Sequence, residues 1–234
     1  MRPFVVIFLV LLLSCDTGEE TQTPIESAQF AVCNQQLSPC ASGSGEYCLF
    51  GYKWGAGNPF IPTGFDVAGP EEPVRDITYS FQNAGQTLVT HRQVNVPSQS
   101  FDTLLDCART QIRRAMDAWS QAADISFVEM PENSPSDIRF FATDIFQSGI
   151  GYPNYTDLTC SRLKGNVFIK PNSRLNTCDL FYNFVLHEIG HTLGLGHVDT
   201  DNIMNPDRLE MLDGLQAGDK QGVVEIYGER LPLN

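Results

Sequence analysis

Basic residues are scarce in this sequence, and their scarcity excludes two classes of binding partner. The 234 residues include 15 lysines and arginines against 28 aspartates and glutamates, a formal net charge of −13. Nucleic acids and anionic membrane surfaces are bound through basic patches, so we expect neither as the main partner. An apolar content of 42% with 18% charged residues is instead typical of a globular protein with an acidic surface.

Long apolar runs are missing beyond the N-terminus, which excludes a membrane-spanning helix in the body of the chain. Arg2 precedes ten consecutive apolar residues, 4–13, a pattern typical of an export signal and too short to cross a bilayer. The run ends in Leu-Leu-Ser-Cys, which resembles the lipobox of bacterial lipoproteins. We therefore expect a signal peptide over residues 1–14 and a lipid on Cys15 that anchors the exported protein in the cell envelope or at the cell surface. The alternative is an ordinary secretory signal.

No cysteine lies in a C-x-x-C pair, which argues against zinc-ribbon and thioredoxin-like sites. Six cysteines remain beyond Cys15, and an even number in an exported protein indicates disulfides. Cys160 and Cys178 bracket a strand-like stretch just before a predicted helix, so we expect them to pair. The sequence leaves the pairing of the other four open, namely Cys33, Cys40, Cys48 and Cys107.

The order of the predicted elements indicates an α+β fold. Residues 15–75 are rich in glycine, serine, proline, threonine and asparagine and are expected to form a tether and an irregular N-terminal segment. Residues 76–234 form the folded domain, with Ser100 and Asp179 as N-caps of its first two helices and a loop over residues 143–164. The predicted strands are 77–81, 87–96, 125–129, 138–142 and 166–170, and the predicted helices are 101–123, 180–193 and 219–227.

Histidine is the scarcest of the chemically versatile residues, and three of the four histidines lie in the stretch HEIGHTLGLGH, which begins at His187. On a helix, His187 and His191 project from one face and can bind the same metal ion. Glu188 is rotated by one helical step, where it can take a proton from a metal-bound water. Gly194 permits a sharp break, so that His197 can supply a third ligand. Three neutral imidazoles and an open position for water are typical of catalytic zinc.

The pattern H-E-x-x-H-x-x-G-x-x-H resembles the zinc signature of the metzincin proteases. Met204 resembles the methionine of their Met-turn, and Pro206 resembles the matrixins within that group. The resemblance implies a twisted mixed sheet with a long first helix, an active-site helix and a C-terminal helix. Further matches to matrixin catalytic domains extend the resemblance over residues 75–228 and fall at residues 115–120, 136–138 and 215–228.

The resemblance implies a monomeric endopeptidase with one catalytic Zn²⁺ that acts on a protein or peptide substrate. Its substrate would pair with an edge strand, expected here at residues 166–170, and Tyr182, Asn183 and residues 207–215 would shape the side-chain pocket. No histidine occurs in residues 143–178, so a second, structural zinc site is not expected.

Two acidic residues carry further expectations from the resemblance. Asp137 matches a position at which matrixins can bind Ca²⁺, although an aspartate in a turn can equally serve as a cap. Asp199 could orient His197 from outside the ligand shell or lie in a solvated turn. The remaining histidine, His91, is expected at the surface.

Two other functions compatible with the motif remain. One is a surface-anchored binding protein that keeps the fold and the metal without turnover, and the other is a zinc hydrolase that acts on a non-peptide amide. The presence of Glu188 favours the endopeptidase over a non-catalytic protein, because loss of the general base is the expected mark of the latter.

Overall fold

A computed structural model of the chain describes Cys33 and residues 45–60 and 76–230. The predicted signal peptide and the predicted lipid attachment at Cys15 lie outside these residues. Within the described ranges there is no helix long and apolar enough to span a membrane. The elements are β1 (Ile77–Gln82), β2 (Thr87–Leu88), β3 (Val96–Gln99), a short 3-10 helix (Phe101–Thr103), α1 (Ala108–Ala122), β4 (Phe127–Glu129), β5 (Ile138–Thr143), β6 (Gly149–Gly151), β7 (Asn166–Ile169), α2 (Cys178–Leu193) and α3 (Ala217–Tyr227).

The strands form one mixed sheet with β5 at its centre. β5 runs parallel to both β1 and β7, and β4 extends the sheet as a parallel neighbour of β1. β6 pairs antiparallel with β7 and is the edge strand on that side of the described sheet. The mixed sheet and its three α-helices confirm the expected α+β class.

Both faces of the central strands are covered. Along β5, Phe140 belongs to the core that packs against the helices, whereas the next residue, Phe141, belongs to a second core on the other face. Val167 and Phe168 of β7 divide between the two cores in the same way. This division follows from the two-residue repeat of a strand. The second core is built from the β2–β3 hairpin and residues 152–163.

Residues 87–96, predicted as one strand, form a hairpin instead. β2 pairs antiparallel with β3, and the chain between them turns through residues 89–95, which we call the hairpin tip. The hydroxyl of Thr90 accepts hydrogen bonds from the backbone N–H groups of Arg92 and Gln93, and Asn95 adopts a positive φ of 56°. Local bonding of this kind closes turns and competes with an extended strand.

The first two helices begin at other residues than predicted. Ser100 caps the short 3-10 helix, the chain becomes extended at Leu104, and α1 begins only at Ala108. Thr177, rather than Asp179, caps α2 by accepting a hydrogen bond from the Leu180 N–H. Asp179 instead lies in the first turn, where a carboxylate also favours the helix dipole.

The predicted disulfide between Cys160 and Cys178 is wrong. Cys160 bonds to Cys33, and Cys178 bonds to Cys107. Cys160 belongs to the second core, on the far side of the sheet from α2, so closeness in sequence does not bring it to Cys178. Cys178 and Cys107 lie at the starts of two packed helices, with Cα atoms 6.0 Å apart. Cys48 is also disulfide-bonded.

Residues 45–60, which were expected in the irregular N-terminal segment, pack into the domain. Trp54 is 3% exposed, its indole N–H donates to the Thr192 carbonyl, and its backbone N–H donates to the Tyr227 hydroxyl. Leu49 forms a β-bridge with Leu195, directly after α2. This segment therefore supports the end of the helix that carries the H-E-x-x-H motif.

Candidate metal centre

The three histidines of the motif converge on one point. Their Nε2 atoms lie 3.0–3.1 Å from one another. Ligand atoms about 2.0–2.1 Å from a tetrahedral zinc would be separated by roughly 3.3 Å, so the spacing is close to that of a zinc site. Across the described parts of the chain, His187, His191 and His197 are the one group of three or more potential ligand side chains that could hold a metal ion.

The hydrogen bonds on the other ring nitrogens fix which atoms can bind the metal. Nδ1 of His187 lies 2.7 Å from the Ile203 carbonyl oxygen, and Nδ1 of His191 lies 2.8 Å from that of Leu195. A carbonyl can only accept, so each Nδ1 carries the proton and each Nε2 presents a lone pair. Lone pairs that face each other at 3.0 Å require a cation between them. The donor set therefore fits a metal ion.

Burial keeps the imidazoles in the uncharged form that binds metals. It lowers the pKa of His187 to about 3, with a smaller effect from His197, and it lowers the pKa of His191 well below its ordinary value. Burial also lowers the pKa of His197, although the charge of Asp207 acts in the opposite direction. Protons therefore compete weakly for these nitrogens near neutral pH.

The turn after α2 has room for glycine alone at its first residue. Gly194 ends α2 with a φ of 108°, as its sequence position predicted, and a Cβ atom there would lie 2.0 Å from the Tyr52 carbonyl oxygen. Phe50 stacks on the ring of His191 with centroids 5.7 Å apart. Residues 45–60 thus pack against the turn and the ring of His191, which the sequence did not reveal.

Met204 lies below the metal centre, where it packs against α2. A Cβ atom added to Gly190 would lie 2.4 Å from the Met204 sulfur, so the helix and the methionine are in close contact. Asp219, in the first turn of α3, accepts hydrogen bonds from the backbone N–H groups of Ile203 and Met204. Burial raises the pKa of Asp219, and these bonds oppose the rise.

Asp219 is a residue that the sequence analysis missed. Asp219 binds the backbone N–H of Ile203, and the Ile203 carbonyl in turn fixes the proton on Nδ1 of His187. Asp219 therefore supports the metal centre indirectly. Its carboxylate also accepts a hydrogen bond from the N–H of Gln216, the N-cap residue of α3.

Glu188 is buried beside the three ligands. Its carboxylate accepts a hydrogen bond of 2.6 Å from the Gly151 N–H of β6 and is 6% exposed as a residue. Burial raises its pKa to about 8, against the smaller lowering effect of that bond. A Cβ on Gly151 would lie 2.1 Å from the Glu188 carbonyl oxygen, so glycine permits the close approach of strand and helix.

The structure gives Asp137 a bonding partner and leaves Asp199 exposed. The Asp137 carboxylate accepts hydrogen bonds from the N–H and hydroxyl of Thr78, an arrangement that fastens the start of β5 to β1. Asp199 is exposed, and no hydrogen bond joins it to His197 within the described residues. The carboxylate that acts electrostatically on His197 is that of Asp207.

Tyr182 and Asn183 were both expected to shape the side-chain pocket, and Asn183 supports the wall of that pocket. Its amide donates to the carbonyls of Leu209 and Leu212 and accepts from the Gly214 N–H, so it fixes the loop that follows the metal ligands. Tyr182 instead lies under the guanidinium of Arg114, 3.8 Å from the ring centroid.

The metal centre opens into a cleft of about 240 Å³ between α2 and β6. This volume corresponds to about eight water molecules at roughly 30 Å³ each. A neighbouring pocket of about 270 Å³ continues from Glu188 and is lined mainly by apolar side chains, among them Leu175, Leu180, Phe184 and Leu209.

The strand that borders this cleft is β6, and the expectation that residues 166–170 form the substrate-binding edge is wrong. β7 lies inside the sheet, because β6 pairs along its outer side. The sequence Gly149-Ile150-Gly151 is short for a strand and has two glycines beside its one branched residue, so residues 143–164 were predicted as loop.

His91 does not lie at the surface as predicted. It is 3% exposed, and with Arg92 it lines the cleft that contains the metal ligands. The hairpin tip therefore contributes to the site, although it is nearly 100 residues from the motif in sequence.

Comparison with known proteins finds a family match for one region of the chain. Residues 165–228 match the sequence model of the matrixin family of peptidases. The match includes α2, the three histidines, Met204 and α3, which together form the metal centre. No curated protein matches the chain.

Proposed function

The chain contains a matrixin-like metzincin domain, and we propose on this basis that it is a zinc-dependent endopeptidase that cleaves extracellular or cell-envelope proteins. The single observation that supports the proposal most strongly is the convergence of three Nε2 atoms beside the buried Glu188 carboxylate in one cleft. Each component of a metal-assisted hydrolase is present in this arrangement.

His187, His191 and His197 would hold the zinc ion. A zinc ion bound there would polarise the scissile carbonyl and lower the pKa of its bound water to about 7. Glu188 accepts a proton from the attacking water and returns it to the amine that leaves. The Gly151 N–H keeps its carboxylate in place. Burial raises the pKa of Glu188, and the positive charge of a metal ion would oppose this rise, so the group can exchange protons near neutral pH.

The free edge of β6 is suited to bind the substrate backbone in an extended conformation. No strand pairs with its outer side within the described sheet, although side chains already bind the Gly151 N–H and the Gly149 carbonyl. An edge strand of this kind can pair with an added strand. The apolar pocket beside Glu188 then accepts an apolar side chain next to the scissile bond. We therefore expect cleavage beside residues such as leucine or phenylalanine.

Export is part of the proposal. Two disulfides, Cys33–Cys160 and Cys107–Cys178, favour an oxidising compartment, which agrees with the signal-like N-terminus. We propose that a lipid on Cys15 anchors the protein in the cell envelope. Mass spectrometry of the mature protein tests this point, because an unmodified N-terminal residue downstream of Cys15 would contradict it.

The deciding experiment is the hydrolysis of quenched-fluorescent casein by the exported protein and by its Glu188→Ala variant. Zinc content is measured in both, and Glu229→Ala, which removes an exposed carboxylate, is the matched control. We expect zinc in all three proteins and loss of cleavage in Glu188→Ala alone. Zinc without cleavage in any of them would contradict the proposal and favour a binding function, whereas cleavage that survives Glu188→Ala would remove Glu188 as the base.

A further inference from the structure

The hairpin tip brings two adjacent side chains, His91 and Arg92, to the same cleft as the metal ligands. Both are packed around the ring of Phe146, which follows β5 and is 45% exposed. The tip is held by the second core on the outer face of the sheet, because Val89 and Val94 are buried there. Its two cleft-facing side chains have no role in the catalytic chemistry described above.

The imidazole of His91 is fixed so that one N–H is available to the cleft. The Tyr152 hydroxyl accepts a hydrogen bond from the His91 backbone N–H and lies 2.8 Å from Nδ1. Within the described residues, Nδ1 is the acceptor available to the proton of this buried hydroxyl, so the hydroxyl donates to Nδ1 and the neutral ring carries its own proton on Nε2. Among the residues that the structure describes, none forms a hydrogen bond with this Nε2, although the residue is 97% removed from solvent.

Among the described residues, Arg92 is a cation without an anionic partner, although the protein as a whole is strongly acidic. Its guanidinium lies over the Phe146 ring, 4.7 Å from the centroid, and no carboxylate of the described residues forms an ion pair with it. Arg109, Arg113 and Arg208, by contrast, each pair with a carboxylate at 2.6–3.1 Å.

We propose that the hairpin tip is a specificity subsite that binds an acidic side chain of the substrate. Arg92 supplies the positive charge, and the Nε2–H of His91 supplies a directed hydrogen bond to the same carboxylate. The inference rests on the proposed peptidase function for its substrate class, a peptide with aspartate or glutamate near the scissile bond. Because His91 and Arg92 line the same cleft as the three histidines and Glu188, this carboxylate would lie within a few residues of that bond.

The two groups together favour a carboxylate over a neutral amide of the same shape. Hydrogen bonds that involve a charged group are about twice as strong as neutral ones, and stacking on Phe146 reduces the freedom of the guanidinium. An amide substituent would lose the charge and would place its own N–H groups against the Nε2–H donor. We expect a preference of about tenfold, which corresponds to about 1.4 kcal/mol.

The test uses pairs of quenched-fluorescent heptapeptides that contain leucine beside the scissile bond and either glutamate or glutamine at each other position in turn. The values of kcat/KM are compared for the wild-type protein, Arg92→Gln, Arg92→Glu and His91→Phe, with Arg230→Gln as the matched control. Arg230 is another exposed arginine, and it lines neither the cleft nor the apolar pocket. Binding of the same peptides to Glu188→Ala, followed by fluorescence anisotropy, gives a measurement that does not depend on turnover.

We expect the wild-type protein to prefer glutamate at one position by about tenfold, a preference that decreases with salt concentration. Arg92→Gln abolishes it, His91→Phe weakens it, Arg230→Gln leaves it unchanged, and Arg92→Glu reverses it in favour of glutamine at the same position. Equal kcat/KM for glutamate and glutamine at every position would overturn the inference and leave the peptidase function intact. A glutamate preference in binding without any cleavage would support the subsite and contradict the peptidase function.

Discussion

The two walls of the cleft are held by different kinds of interaction. The lower wall consists of α2 and the turn that follows it, where His191 bonds to the carbonyl of Leu195, four residues away in sequence. The upper wall consists of β6 and the hairpin tip, where His91 bonds to Tyr152, 61 residues away. The lower wall is thus built largely within one stretch of chain, and the upper wall depends on the assembled sheet.

This difference separates the chemistry of the site from its selectivity. The three histidines and Glu188 lie in the lower wall. Helical spacing positions His187, Glu188 and His191, and the turn that begins at Gly194 positions His197. The upper wall holds Arg92 and the free edge of β6 through packing against the second core, and the proposed substrate would contact both. Substitutions in the lower wall should therefore abolish function or folding, whereas those in the upper wall should change which peptides are cleaved.

The largest effect is expected from the removal of a metal ligand. His197→Ala leaves two imidazoles, so we expect loss of bound zinc and a decrease in kcat/KM of more than about 100-fold, which exceeds the effect of losing a supporting contact. His91→Ala is the control, because it removes the one histidine of the chain that lies outside the motif. This variant should retain its zinc. Zinc content by atomic absorption compares the two, and equal zinc content in both variants would contradict the assignment of His197.

The next largest effect is expected at Asp219, which holds the segment below the metal. Asp219→Ala leaves the buried N–H groups of Ile203 and Met204 without partners, and we expect the free energy of unfolding to decrease by about 3 kcal/mol. Zinc affinity should also decrease, by about 10- to 100-fold, because Ile203 orients His187. Urea denaturation and zinc titration measure these changes. Asp213→Ala, at an exposed position, is the control and should change neither quantity.

Close packing of α2 against Met204 predicts a smaller loss. Gly190→Ala would place a methyl group 2.4 Å from the Met204 sulfur and 3.1 Å from the Trp119 ring, so the methionine must move. We expect a decrease of about 1–3 kcal/mol in the free energy of unfolding. Gly45→Ala introduces the same change where no atom lies within 4 Å and should have little effect. Equal stability of the two variants in thermal denaturation would show that the contact is not tight.

The sequence contained enough information for the lower wall because its geometry is local. His187, Glu188 and His191 follow the helical repeat, and the positive φ of Gly194 is a conformation that its residue type favours. Asp219 was missed because its role is to bond to a segment 15 and 16 residues away, which the pattern of a helix start does not indicate. The central strands were predicted for the same reason as α2, since buried strands have a clear apolar pattern.

The upper wall was not predicted because its elements have weak local signals. β6 has three residues, two of which are glycines that a strand normally disfavours, and they are required by the close approach of Glu188 and Phe184. The hairpin tip reads as part of a continuous strand until the hydroxyl of Thr90 is seen to close the turn. The disulfide partner of Cys160 was predicted wrongly for a similar reason. The face of the sheet on which Cys160 lies decides its partner, and the sequence pattern does not indicate that face.

The smallest predicted effect is the pH dependence that His91 contributes to stability. Burial, with a smaller effect from the charge of Arg92, lowers the pKa of His91 to about 4 in the folded protein, compared with about 6.5 in the unfolded chain. The unfolded chain therefore binds a proton between these values that the folded protein does not, and the stability contributed by this group is lost as the pH falls from about 6.5 towards 4. His91→Gln keeps a polar group beside Tyr152 but does not titrate. In metal-free samples, the melting temperature of the wild-type protein should fall between pH 7 and pH 5 by about 2 °C more than that of the variant. Equal decreases would show that the ring of His91 is solvated and that the upper wall is looser than its contacts indicate.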